Sequence, residues 1–237
     1  MSERKTPVRT GIIGAMDKEV ASLKAALGNA KTTTVAGMEF VEGTLDGAGA
    51  VVVKCGIGKV NAGVCAQMLI SVFGVGRIIN TGVAGSLDAE IDIGDIVVST
   101  DAVQYDFDLT PLGNEPGELD GMGSASLPAD GGMRAAAAEA VRQCAPEVRV
   151  FEGRVCTGDR FVSSAAQKEA ITKVFGGLCC EMEGGAIAQI CRQNGIPFVI
   201  LRAISDKADG SAEMAYSEFV HAAAARCAAV TRWMLSH

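Results

Sequence analysis

LCCEMEGGAIAQICRQNGIPFVILRAISD, residues 178–206, reads in succession as a short strand (Leu178–Glu181), a small-residue helix (Gly184–Gln193) and a buried strand (Phe198–Ile204). Acids mark the strand ends: Glu181 and Glu183 at the first, Asp206 after the second. A carboxylate beside a buried strand is costly unless it is paired or used. In α/β proteins, ligands bind at the carboxyl ends of the strands.

The same alternation extends outward from this stretch. Towards the N-terminus, Val8–Gly14 is a buried strand and Lys18–Leu27 a helix with Val20, Leu23 and Leu27 on one face. Met38–Leu45 and Ala50–Cys55 are strands, and Val60–Phe73 is a helix entered through Gly56-Ile57-Gly58. Strands at Arg77–Asn80, Asp95–Ser99 and Arg149–Thr157 and helices at Gly132–Cys144 and Gln167–Val174 follow. Tyr216–Leu235 is an alanine-rich C-terminal helix. Between Leu109 and Pro128 several Gly and Pro interrupt any apolar period, which predicts a long loop of the kind that is often functional. The predicted class is α/β: a three-layer α/β/α sandwich around a mixed central sheet. Residues 1–237 are expected to form a single domain, with residues 1–7 flexible.

Composition narrows the function classes. Hydrophobic residues make up 49% and charged residues 21%, which excludes a disordered chain. The net charge is −7 and Lys and Arg are scattered, so no nucleic-acid partner is expected. No run approaches the ~20 apolar residues that span a bilayer, and the apolar run after the charged Met1–Thr10 is too short for a signal peptide. No membrane partner is expected. The eight cysteines form no CxxC pair and no zinc-spaced Cys/His set, and mostly lie in apolar segments. They read as reduced small hydrophobes in a cytoplasmic protein, with Cys179 and Cys180 pointing to opposite faces. With only His221 and His237, a His-based triad or His-rich metal site is excluded, and no metal is expected.

Several segments carry candidate chemistry beside a plainer structural reading. Glu19 sits in the first turn of its helix, where the dipole alone favours an acid by ~0.3–1 kcal/mol; Asp17 is nearer the strand end, and position does not choose between them. Gly56–Gly63 opens a helix, yet it lacks both dinucleotide and P-loop spacing, so a backbone-close turn is expected. The small residues of Asn80–Ser86 admit either close ligand approach or a tight crossover. Phe161 follows a strand-ending turn and could stack on a flat base; taken alone, a core phenylalanine is the stronger reading. Gly184-Gly185 weakens the helix it opens by ~1 kcal/mol per residue relative to alanine, for a ligand's approach or for a strained turn. Arg202 lies in an apolar strand and requires a carboxylate partner, most simply in a structural ion pair.

In order along the chain, GIIGAMDKEV, GIGKVNAG, NTGVAGSL, IGDIVVS, YDFDLT, TGDRFV, EMEGGAIA, RAISDKAD and YSEF resemble the nucleoside phosphorylase fold superfamily and, within it, the 5′-methylthioadenosine/S-adenosylhomocysteine nucleosidase family. The resemblance covers nearly the whole chain. It implies a hydrolase that splits adenine from a thioribosyl or ribosyl moiety, 5′-deoxyadenosine and aminofutalosine being further substrates of the same kind, with no metal or organic cofactor. By motif, Glu19 matches the acid that activates water, and Asp206 the acid that protonates adenine N7, positioned by Ser205. Glu183 matches the ribose-binding carboxylate and Met182 the residue under the sugar. Phe161 matches the ring that stacks on adenine, Val162 the backbone that hydrogen-bonds it, and Ala84 and Gly85 the backbone near sugar and base. Met16, Ile57 and Tyr216 match the sugar and alkylthio pocket; relatives often carry Phe where Tyr216 stands. A homodimer is implied, with Leu109 and Leu112 reaching the partner's site. Many nucleosidases carry Ser where this chain has Val83.

The residue types suit that chemistry. Cleaving an N-glycosidic bond develops oxocarbenium character on the sugar, a carboxylate can stabilise it, and a buried acid with raised pKa can protonate the leaving base. A phosphorylase on the same fold is the rival. A phosphate dianion needs cationic or dense N–H ligation, whereas the matching turns carry Asn80, Val83 and Glu19. A non-catalytic nucleoside-binding protein is the second rival; retention of Glu19, Glu183 and Asp206 argues against it.

Overall fold

The computed structural model describes residues 8–237; the flexibility expected of residues 1–7 lies outside the described residues. In chain order its elements are β1 (Thr10–Gly14), α1 (Asp17–Ala25), β2 (Gly28–Val35), β3 (Met38–Leu45), β4 (Ala48–Lys54), α2 (Lys59–Ser71), β5 (Arg77–Ser86), β6 (Ile96–Gln104), β7 (Leu127–Pro128), α3 (Gly131–Cys144), β8 (Val150–Thr157), α4 (Ala165–Phe175), β9 (Cys179–Glu181), α5 (Gly184–Asn194), β10 (Phe198–Asp206) and α6 (Ala212–Ser236).

Strand alternation sorts the apolar residues into two helical layers, as expected. On β1, Ile13 packs with Cys65 and Leu69 of α2 and Ile187 of α5, while Ile12 faces Val20 and Leu23 of α1. On β10, Phe198, Ile200 and Ile204 share the first core, and Val199, Leu201 and Ala203 pack with Val141 of α3 and Val230 of α6. Buried on both faces, β10 reads in sequence as one apolar run. Cys179 and Cys180 do point apart, into the α2/α5 core and into a small cluster with Val162 and Ile171.

The sheet is mixed and ten-stranded, in the order β10-β6-β8-β9-β5-β1-β4-β3-β2, with β7 paired to β6. β10 also pairs with β5, so β5, β9, β8, β6 and β10 close into a ring. That closure has no local signal; it depends on which strands meet.

The structure corrects three of the expected boundaries. β2 was not anticipated: GNAKTTTV is exposed or half-buried throughout, and an edge strand open to solvent carries no apolar alternation to read. β5 continues past Asn80 to Ser86, and β6 past Ser99 to Gln104, through residues whose small or polar side chains hide the strand pattern. The long loop after β6 is interrupted by a single 3-10 turn at Thr110–Leu112 and by β7.

Candidate active site

Six strands deliver the predicted residues to one place, each at or just beyond its carboxyl end. β1 leads to Met16 and Glu19, β4 to Ile57, β5 ends in Val83–Ser86, β8 leads to Phe161, β9 to Met182 and Glu183, and β10 ends in Ser205 and Asp206. They enclose a cavity of about 250 Å³, to which Ala84, Gly85, Cys180 and Tyr216 also contribute. A recess of about 40 Å³ shares Phe161, Met182 and Asp206 with it and is lined in addition by Val162. Leu109 and Leu112 line neither space, and Leu112 stands exposed.

Burial separates Asp17 from Glu19. Asp17 is exposed and pairs with Lys54 at 2.8 Å. Glu19 is buried, and its carboxylate accepts three backbone N–H bonds: from Ala15 (2.7 Å) and Met16 (2.9 Å) on Oε2, and from Val83 (3.1 Å) on Oε1. Residue 83 therefore holds Glu19 through its main chain, and its side chain packs against the α3/α6 core, so a valine serves there. Burial raises the Glu19 pKa; Arg202 and the three N–H donors oppose the rise.

Asp206 reaches the cavity through a β-bulge. Ile204 pairs with Ala84 and Asp206 with Gly85, leaving Ser205 as the extra residue that re-aims the strand end. The Ser205 hydroxyl donates to Asp206 Oδ2 at 2.9 Å and the Ala208 N–H to Oδ1 at 2.9 Å. Burial raises the Asp206 pKa against both bonds. Glu183 accepts an N–H bond from Gly58 at 3.0 Å, made possible by a turn in which Gly56 and Gly58 have φ of 88° and 100°. Its pKa is raised by burial and by the neighbouring Glu181 carboxylate.

Sequence reasoning left Glu181 without a role, and the structure supplies one. Arg202 donates through Nη2 to Glu181 and, at 2.6 Å, to Asn80 Oδ1, with Glu183 Oε2 3.7 Å away. Glu181 also accepts from the Thr157 hydroxyl and from the N–H groups of Glu183 (3.0 Å) and Gly184 (2.7 Å). The ion pair expected of Arg202 is thus the buried floor beneath the acids.

The glycines make room for these side chains, and Gly85 also lines the cavity. A Cβ at Gly82 would lie 2.5 Å from Glu19 Oε1 and 2.8 Å from Arg202 Nη1, and one at Gly85 2.7 Å from Asp206 Oδ1. At Gly184 it would meet Ile200 at 2.8 Å and Glu181 at 3.1 Å, and at Gly185 it would meet Gln104 and Thr157, each at 2.9 Å.

The core reading of Phe161 also fails: its ring is 43% exposed and meets Tyr216 edge-on, centroids 5.8 Å apart. The Tyr216 hydroxyl lies 3.0 Å from Met16 Sδ, and Phe161, Tyr216, Met16 and Ile57 give the cavity an aromatic and apolar part of its lining.

The model of the phosphorylase superfamily matches residues 9–236. A 5′-methylthioadenosine/S-adenosylhomocysteine nucleosidase of Shewanella putrefaciens is 42% identical over 214 residues, covering 90% of this chain and 92% of its own. The nucleosidase of that name from Neisseria meningitidis, solved in complex with methylthio-immucillin-A, superposes with a TM-score of 0.93 at 36% identity, covering 96% of this chain and 98% of its own. The futalosine hydrolase of Helicobacter pylori superposes at 0.90 with 30% identity, covering 96% and 97%. With the superfamily model matched over nearly its whole length and a relative 42% identical across 90% of it, the chain belongs to the phosphorylase superfamily and, within it, to the 5′-methylthioadenosine/S-adenosylhomocysteine nucleosidase family.

Proposed function

We propose that the protein hydrolyses the N-glycosidic bond of 5′-methylthioadenosine and S-adenosylhomocysteine, releasing adenine. The observation that carries the reading is the placement of Glu19 and Asp206 as separate buried acids in one cavity, with Glu183 between the Gly58 N–H and the Arg202 guanidinium. Asp206 gives its proton to adenine N7 as the C1′–N9 bond breaks and its electron pair moves into the base. Glu183 holds the ribose hydroxyls and steadies positive charge on the sugar. Water adds to C1′ and loses its proton to Glu19. Phe161 stacks on the base and Val162 offers it main-chain hydrogen bonds from the adjoining recess. Met182 lies under the sugar, with Ala84 and Gly85 as the nearby backbone.

Hydrolysis is favoured over phosphorolysis by charge. The cavity is lined by Glu19, Glu181, Glu183 and Asp206 and, among the described residues, by no Lys or Arg, and the Arg202 beneath it is engaged with Glu181 and Asn80. A phosphate dianion would meet repulsion there. The test is adenine release in phosphate-free buffer. Substantial release is expected; release only after adding phosphate makes the protein a phosphorylase, and binding without release in either buffer makes it a nucleoside-binding protein.

The 5′ tail lies against Met16, Ile57 and Tyr216, an apolar wall suited to an alkylthio group. 5′-Deoxyadenosine and aminofutalosine share the adenine and ribose contacts and differ only there. We read the protein as a homodimer whose partner supplies Leu109 and Leu112 to that end of the site. Leu112 is 78% exposed, and beside its loop lies an open groove lined by Phe107, Ile171, Val174 and Phe175. Replacing both leucines by alanine is expected to shift the ratio of kcat/KM between methylthioadenosine and S-adenosylhomocysteine about 10-fold, the scale of a few methylenes in an apolar pocket. An unchanged ratio would remove the loop from specificity. All eight cysteines are unpaired, in keeping with a cytoplasmic protein, and among the described residues no helix is long and apolar enough to cross a membrane.

A further inference from the structure

Two loops frame the cavity, the turn before α2, which carries Ile57 and Gly58, and the exit of β8, which carries Phe161 and Val162; a third, the exit of β6, runs beside them on to Leu109 and Leu112. Lys59, Asp106 and Asp159 join all three outside the cavity. Lys59 Nζ pairs with Asp106 Oδ1 at 2.6 Å, and the other oxygen of Asp106 accepts the Asp159 N–H at 2.8 Å. The Asp159 carboxylate in turn accepts the Lys59 N–H at 2.8 Å. The three bonds close a ring in which each loop holds the other two.

The ring also replaces a missing helix cap. Gly58, the residue before α2, has no side chain to satisfy the first N–H groups. Asp159 satisfies that of Lys59 from a distant loop, and Glu183 satisfies that of Gly58 itself. Gly58 has a φ of 100°, which favours glycine, and a Cβ there would also stand a tight 3.1 Å from Asp159 Oδ1. The N–H that holds Glu183 and the N–H that holds Asp159 are therefore consecutive in the chain, and the β8 loop cannot move without disturbing the turn that fixes Glu183.

We propose that Lys59, Asp106 and Asp159 are positioning residues that lock the three loops into one unit, setting Glu183 against the sugar at the same time as Phe161 against the base. This rests on the nucleoside-hydrolysis reading, which the wild-type enzyme tests by itself through adenine release. The clasp is tested by kinetics of the full-length Asp159→Ala, Asp159→Asn, Lys59→Met and Asp106→Asn variants and of Lys59→Met/Asp106→Asn, each verified as folded by its circular dichroism spectrum and melt.

Asp159→Ala and Lys59→Met are expected to raise KM and lower kcat/KM by up to about 10²-fold, the scale of a small misplacement at a reacting centre, with the pH profile of kcat unmoved. Asp159→Asn keeps an oxygen to accept the Lys59 N–H and is expected to recover most of the activity. The double variant is expected to be no worse than the poorer single, as for groups that act together. Wild-type kcat/KM in folded Asp159→Ala, additive losses in the double variant, or an Asp159→Asn as impaired as Asp159→Ala would overturn the proposal while leaving wild-type hydrolysis intact.

Discussion

Asp206→Asn is expected to lower kcat by at least 10²–10⁴-fold, the usual contribution of one general acid, in a protein that stays folded. An amide of the same shape still accepts the Ala208 N–H but has no proton to give to adenine. The pH profile makes the test specific. Burial raises both acids, and their hydrogen-bond partners differ. Glu19 accepts three N–H bonds and faces Arg202, which favour its ionised form. Asp206 has one N–H and one hydroxyl, and the Asp209 carboxylate pushes its pKa further up. In the proposed mechanism Glu19 works ionised and Asp206 works protonated. Activity should fall on the acid side as Glu19 takes up a proton and on the alkaline side as Asp206 loses one. Asp206→Asn should abolish the alkaline limb and Glu19→Gln the acid limb. Wild-type-like turnover in either variant would overturn its assignment.

Much of the site was legible because its residues sit at strand ends within motifs. Glu19, Glu183, Asp206, Met16, Ile57 and Tyr216 all reach the cavity to which the sequence assigned them. What escaped depends on contacts between distant segments. Glu181 was visible as an acid, but its partner Arg202 lies 21 positions away and their bond exists only because β9 and β10 approach inside the ring of strands. The bulge at Ser205 leaves no composition signal, yet it decides where Asp206 points. The glycines of Asn80–Ser86 and Gly184-Gly185 admitted a ligand-centred reading; the side chains that also need their space come from α1, β6, β8, β9 and β10.

Arg202→Met should be the most damaging change to the fold, destabilising it by about 3–5 kcal/mol, the cost of breaking a buried pair from one side. Methionine fills a similar volume, so the loss is electrostatic rather than a cavity effect. Arg202 is 2% exposed, and its charge opposes the upward shifts of both Glu19 and Glu183. Without it, Glu181 keeps its bonds from Thr157 and two N–H groups but loses its counter-charge, and Glu183 and Glu19 rise further. The sign of the pH dependence follows. A carboxyl whose folded pKa lies above its unfolded value destabilises the fold as pH rises from the unfolded value, near 4.5, through the folded one. The variant should therefore be more stable at pH 5 than at pH 8, by a wider margin than wild type, in urea titrations at both values. Adding Glu181→Gln removes one of the stranded charges and should restore part of the loss, a coupling that a double-mutant cycle reads directly. A loss below about 1 kcal/mol, the range of exposed pairs, with no pH dependence, would mean that the acids of this site do not depend on Arg202 for their charge.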